Sequence, residues 1–217
     1  MKPKLVIFDW DGTVVDSTHT IVEAIRQSCR DLALAVPSVE QAAYVIGLGL
    51  HDALRHVAPD LPLERVPELT ARFRVHYLSR DQFLRPFAGM TNLFDGLQAA
   101  GLPLAVATGK SRAGLERAFD ATQTRHYFVT SRCADESVPK PGPEMVLEIC
   151  EELELAPEMA LVIGDTTHDL QMARAAGAHA LAVTYGAHPE HLLRQHGPKA
   201  CVSSVADMQL WLNEHVL

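Results

Sequence analysis

Residues 5–17 read LVIFDWDGTVVDS. Four consecutive apolar residues, Leu5 to Phe8, suit a strand buried on both faces, the kind from which parallel sheets are built. The run stops at Asp9, a second acid follows at Asp11, and Gly12, Thr13 and a third acid, Asp16, come close behind. Carboxylates this near one another repel and raise each other's pKa, so they require either a cation or a turn that parts them. If the strand persists, residues i and i+2 face the same way and Asp9 and Asp11 address one site. Hard oxygen ligands in that arrangement suit Mg2+, which takes one or two carboxylates together with waters and phosphate.

Further short apolar runs follow the same rule. LPLAVA, 102–107, leads into Thr108-Gly109 and a helix-like RAGLERAFDA; YFVT spans 127–130; ALVIG, 160–164, ends at Asp165; AHALAV spans 178–183. Strands alternating with helical patterns predict an α/β fold, a parallel sheet with crossover helices. In such sheets ligands bind at the carboxyl edge, where Asp9, Thr108 and Asp165 would gather. Asp169 lies four residues beyond Asp165, one helical turn away on the same face, and Gly177 marks the end of that helix.

Between residues 17 and 86 the strand signal disappears. Ile21, Ile25, Cys29 and Leu32 recur at helical spacing, and a second helical pattern runs from about Glu64 to Phe83. The expected organisation is a sheet domain built from 1–16 and 87–217, interrupted by a helical domain over 17–86. The crossings are expected at Asp16-Ser17 and in LRPFAGM, where Pro86 and Gly89 punctuate the return.

The chain has 217 residues, of which 47% are hydrophobic and 21% charged, an ordinary globular composition with room for one domain and a sizeable insertion. A net charge of -8 and the lack of any basic stripe argue against nucleic acid and anionic membranes as partners. The four cysteines have no C-x-x-C spacing, so neither a zinc site nor a disulfide framework is indicated, and a reducing cytoplasm is expected. No run approaches a membrane span, and the four apolar residues after Lys4 are too short for a signal peptide.

Four motifs in order make the sequence resemble the haloacid dehalogenase (HAD) superfamily of phosphatases: Asp9-Trp10-Asp11-Gly12-Thr13; Thr108-Gly109; Lys140 in VPKPGPEM; and Gly164-Asp165-Thr166-Thr167-His168-Asp169. The resemblance implies a Rossmann-like core with a helical cap of the phosphoglycolate phosphatase and β-phosphoglucomutase type. It implies a Mg2+-dependent phosphomonoester hydrolase acting on a small phosphorylated metabolite, as a monomer or small homo-oligomer. Asp9 would be the nucleophile and Asp11 the general acid and base, while Thr108, Gly109 and Lys140 would hold the phosphoryl group. Mg2+ would sit on Asp9, Asp165 and the Asp11 backbone carbonyl, with Asp169 in support.

Related activities separate by residue type. Dehalogenases lack the second acid that Asp11 provides, and phosphonatases use a cap lysine, of which 17–86 has none. A β-phosphoglucomutase-like mutase carries a histidine ten residues beyond the second aspartate; here that position is Ile21, with His19 nearby, so this reading stands as the alternative, beside a noncatalytic binding protein on the same fold.

The remaining residues carry blander expectations. Asp16 is read as a turn residue, Gly12 as a backbone position, Ser111 as a helix cap and His168 as a surface residue. Lys110 and Arg112 either add positive field near the substrate or form a solvated helical turn. Gly47 and Gly49 in IGLGL are expected to form a loop facing the strand ends, followed by His51 and by Arg55, which is either a partner for a substrate carboxylate or a helix-surface arginine.

Overall fold

The structure, a computed structural model, describes residues 2–217; Met1, the first residue of the expected sheet segment, lies outside them. Leu5–Phe8 form β1, with all four side chains buried. Leu104–Thr108 form β2, Phe128–Cys133 β3, Ala160–Gly164 β4, His179–Val183 β5 and Cys201–Val202 β6. They pair in parallel as one six-stranded sheet in the order β3-β2-β1-β4-β5-β6. The strand order reverses beside β1, and the crevice outside the carboxyl ends of β1 and β4 is where such sheets place their ligands.

Helices cover both faces, as parallel strands require. Val6, Phe8, Leu104 and Val106 face a core completed by Met90–Ala99 (α5 below), Arg112–Thr122 (α6) and Val205–His215 (α10). Leu5, Ile7, Ala105 and Val162 alternate onto the opposite face against Glu144–Glu152 (α7) and Thr167–Ala176 (α8). Glu190–Arg194 (α9) follows β5.

Between β1 and α5 the chain forms Thr18–Asp31 (α1), Val39–Tyr44 (α2), Leu50–Val57 (α3) and Val66–Leu78 (α4). These helices bury their own cluster, including Val22, Ile25, Cys29, Leu54, Leu69 and Phe73. The two crossings lie side by side: the Asp16 amide donates to the Arg85 carbonyl at 3.2 Å and the Phe87 amide to the Val14 carbonyl at 3.0 Å.

Several expected boundaries move. The pattern from Glu64 to Phe83 resolves into α4 between two single turns, Leu63–Arg65 and Asp81–Phe83, with Pro67 in the first turn of α4 where its missing N–H costs nothing. The strand expected at 127–130 begins at Phe128 and continues to Cys133, because Tyr127 ends a short helical turn. The elements after β5 carry no strong period and were outside the sequence-based expectation.

Candidate active site

Asp9 leaves β1 with its amide donating to the Ile163 carbonyl at 2.9 Å, so its position is fixed by the sheet. Trp10 points the other way into the core, its ring edge-on to Phe119 at 5.1 Å, and this buried anchor sets the direction of the acids on either side. Gly12 then turns the chain at φ +81°, and a Cβ there would strike the Asp165 carboxylate. Asp165, directly after β4, is held on both oxygens: Thr13 Oγ1 donates to Oδ1 at 2.7 Å and the Ala187 amide to Oδ2 at 2.6 Å.

Lys140 reaches this point from the loop before α7. Its Nζ lies 2.5 Å from Asp9 Oδ1 and 2.6 Å from Asp169 Oδ1, with its side chain fully buried. Asp169, the third residue of α8, also closes a capping box with Thr166: its Oδ2 accepts from the Thr166 amide at 3.0 Å and hydroxyl at 2.6 Å. Burial pushes the Asp9 carboxyl well above its usual range, with Lys140 opposing and Asp169 and Asp165 adding to the rise. Burial, aided by Asp169, likewise pushes Asp165 up to about 7. At Asp169 burial is overcome by the Lys140 ammonium and the Thr166 donors, and the carboxyl is held below its usual range. Burial disfavours the charge on Lys140, but Asp169 and Asp9 override it and keep the amine protonated.

Three buried carboxylates therefore face one ammonium. Asp9, Asp165 and Asp169 each offer an oxygen within 4.8 Å of the others, and Asp9 Oδ2 is buried with no hydrogen-bond partner. A hard divalent cation fits that donor set: it balances the surplus charge and satisfies the orphaned oxygen.

The Asp11 carboxylate stands apart from this cluster. The chain turns after it, and its Oδ1 accepts from Ser17 Oγ at 2.7 Å while its Oδ2 lies 2.9 Å from Lys110 Nζ. Lys110 also donates to the Tyr77 hydroxyl of α4 at 2.8 Å, with the ammonium 4.8 Å from that ring's centre. Thr108 ends β2, and Gly109 follows; a Cβ on Gly109 would come within 2.5 Å of the Leu48 carbonyl, so the loop carrying Gly47 and Gly49 rests on this backbone. Asp9, Asp11, Thr108 and Gly109 open into one cavity of about 440 Å³, roofed by residues of α1, α4 and that loop.

Other expectations sort by position. Ser111 caps α6, accepting from the Gly114 amide, and Asp16 is exposed. Lys110 is largely buried in the site, its side chain 10% exposed, and not part of a solvated turn; Arg112 instead joins Glu136, Glu116 and Ser131 beside β3. His51 lines the cavity, whereas Arg55 is an exposed helix residue outside its lining.

His168 corrects the surface reading. It is buried because α2 ends over it: its Nε2 donates to the Tyr44 carbonyl at 2.9 Å, and the Tyr44 ring meets it edge-on at 5.4 Å. His188 completes this contact. Its Nδ1 accepts from the Thr167 amide at 3.0 Å, so its Nε2 carries the proton given to the same Tyr44 carbonyl at 3.0 Å, while its ring stacks on Tyr44 at 5.0 Å. Burial lowers the pKa of both imidazoles. Ser17, Thr166 and Tyr77 were likewise missed as site residues. Ser17 lay in the quoted motif, whereas Tyr77 had no local signal at all.

Comparison with known proteins bears on the family and the fold. The family described as haloacid dehalogenase-like hydrolase matches residues 6–183. "Probable phosphatase IndB" of Dickeya dadantii is 35% identical over 96% of this chain and 92% of its own length. A phosphoglycolate phosphatase of Nitrosospira multiformis is 32% identical over 84% of each chain. A hydrolase structure from Pseudomonas syringae superposes with a TM-score of 0.89 at 20% identity, covering 99% of both chains, which supports the fold.

Proposed function

The chain belongs to the haloacid dehalogenase-like hydrolase family and is a phosphatase of the phosphoglycolate phosphatase-like branch, and from this we propose a Mg2+-dependent phosphomonoester hydrolase that works through an aspartyl-phosphate on a small phosphorylated metabolite. The observation that carries the reading is the state of Asp9: one oxygen is held by Lys140, and the other is buried and unpartnered beside Asp165.

Asp9 attacks phosphorus, forming the carboxylate–phosphorus bond as the ester P–O bond breaks, and Asp11 gives its proton to the departing alkoxide. Water then attacks the phosphoenzyme; Asp11 takes the water's proton, and inorganic phosphate leaves with Asp9 restored. Thr108 and the Gly109 amide position the phosphoryl oxygens, and Lys140 offsets charge on Asp9 and the transferring group. Ser17 and Lys110 hold the Asp11 carboxylate in one direction, and Asp169 holds Lys140. The residues that would hold Mg2+ are Asp9, Asp165 and the Asp11 carbonyl, with Asp169 supporting. Bound there, Mg2+ neutralises charge on the phosphoryl oxygens.

The helices over 17–86 act as a cap domain on the core formed by 1–16 and 87–217, opening for exchange and closing to exclude water. Among the described residues no helix is long and apolar enough to cross a membrane, and the cytoplasm is the proposed location. The test is release of phosphate from p-nitrophenyl phosphate with and without Mg2+, by the protein and by Asp9→Asn. Activity that survives both changes would sink the mechanism.

A further inference from the structure

We propose that the organic half of the substrate is an uncharged, largely apolar body, selected by Ile21, Leu48, Phe73 and Tyr77. This rests on the phosphatase reading above and names what that reading leaves open.

The cavity is the first observation. At about 440 Å³ it lies in the range of roughly 300–1,000 Å³ that encloses drug-sized ligands. Asp9, Thr108 and Gly109, the proposed partners of the phosphoryl group, line part of the cavity. A two-carbon carboxylate attached to that group would leave most of the remaining space unfilled.

The walls are the second. The cap contributes Ile21 and Ile25 from α1, Leu48 from the loop, and Phe73 and Tyr77 from α4. Phe73 and Tyr77 stack at 5.6 Å with their planes 11° apart, so the two rings pack as one aromatic unit in this wall. The hydroxyl of Tyr77 is already engaged by Lys110. Part of this wall is the cap's own core, but Ile21, Leu48 and Tyr77 are only partly buried in it, so they present apolar surface to the cavity.

Charge is the third. Lys110 faces Asp11, and Arg117 faces Asp81 at 3.4 Å. His51 and Arg74 line the space but are exposed to solvent, His51 beside Asp52 at 3.5 Å, and Arg55 lies outside the lining. Asp52 and Asp135 line the same space and would repel a second carboxylate. An anionic organic half would therefore meet two acids and, among the described residues, only solvent-exposed or already paired cations, whereas an apolar one gains from every methylene covered.

The experiment compares methyl, butyl and benzyl phosphate with 2-phosphoglycolate in Mg2+; all four lose an alkoxide, so intrinsic reactivity does not decide the order. The expected kcat/KM rises from methyl to butyl to benzyl, with benzyl phosphate at least about tenfold above 2-phosphoglycolate. A smaller or inverted ratio overturns the proposal. Ile21→Arg, which places a cation in the wall, is expected to shrink that ratio at least about tenfold; an unchanged ratio in a folded variant overturns the role of Ile21. Binding of benzylphosphonate and phosphonoacetate, measured by calorimetry, reads the same preference without turnover. Tighter benzylphosphonate supports the proposal even if no ester is hydrolysed, a result that would count against the phosphatase reading alone, and tighter phosphonoacetate overturns the proposal.

Discussion

Lys110 and Tyr77 meet at 2.8 Å across the junction of the sheet and the helical segment. The same ammonium lies 2.9 Å from Asp11, so one side chain ties α4 to the acid proposed to handle the proton. Burial opposes the charge on Lys110, and Asp11 together with Tyr77 restores it. Lys110→Met is expected to lower kcat/KM on the order of a hundredfold by loosening the Asp11 carboxylate. Tyr77→Phe, which removes one hydrogen bond worth about 1 kcal/mol, is expected to cost only several-fold. Steady-state kinetics checks both, and a fully active Lys110→Met would separate Lys110 from the positioning of Asp11.

Asp9→Asn is expected to lower phosphate release at least about a thousandfold, because it removes the proposed nucleophile. It also removes one of three crowded carboxylates. Without metal its melting temperature should therefore match or exceed that of the unaltered protein. Mass spectrometry after rapid quench should find the added phosphate on the unaltered chain and none on the variant.

The crowded acids set a pH dependence in the metal-free protein. Asp165 titrates near 7 when folded, above its value in an unfolded chain, so the folded state binds more protons between about pH 4 and 7. Its contribution is fully favourable below the unfolded value and is lost as pH rises through about 7; Asp9, also raised, acts in the same direction. Melting curves in EDTA should show stability from these groups falling between pH 5 and 8. Mg2+ competes with those protons and should raise the melting temperature more at pH 8 than at pH 5. An equal shift at both values would remove these carboxylates from the metal site.

The Tyr44 carbonyl accepts from both His168 and His188, pinning the end of α2 to α8 and the loop after β5. Replacing His168 by Phe keeps much of the packing and removes one donor, worth about 1 kcal/mol. Amide exchange in Val39–Tyr44 is expected to quicken about fivefold, with α5 unaffected. Unchanged exchange in α2 would show that these bonds do not hold it down.

The sheet and its acids were legible because burial on both faces leaves an unmistakable signature: Leu5 to Phe8 and Ala160 to Gly164 are uninterrupted small or apolar runs, each ended by an aspartate. Ser111 and Gly177 were legible for local reasons, since caps follow neighbouring residues. Tyr77 was not, because its role depends on Lys110, far away in sequence, and its helical period says only that it lies on a helix. His168 was misread for the same kind of reason: α2 is a short helix with little signal of its own, and it is what buries that imidazole. The last strand, Cys201–Val202, is too brief for any period to show.

The register of β1 governs the order in which the molecule can be assembled during synthesis. Val6 lies opposite Leu104 and Leu5 opposite Ala160, so the central strand emerges from the ribosome long before either neighbour exists. The helices from Thr18 to Leu78 bury a cluster of their own and can gather while β1 waits. Leu5 to Phe8 thus spend much of translation as an exposed sticky segment, the type of species that aggregates or engages chaperones. A nascent chain halted before Ala160 would carry Asp9 and the helices after it yet lack Asp165 and Asp169, so the proposed metal site is completed only late in synthesis.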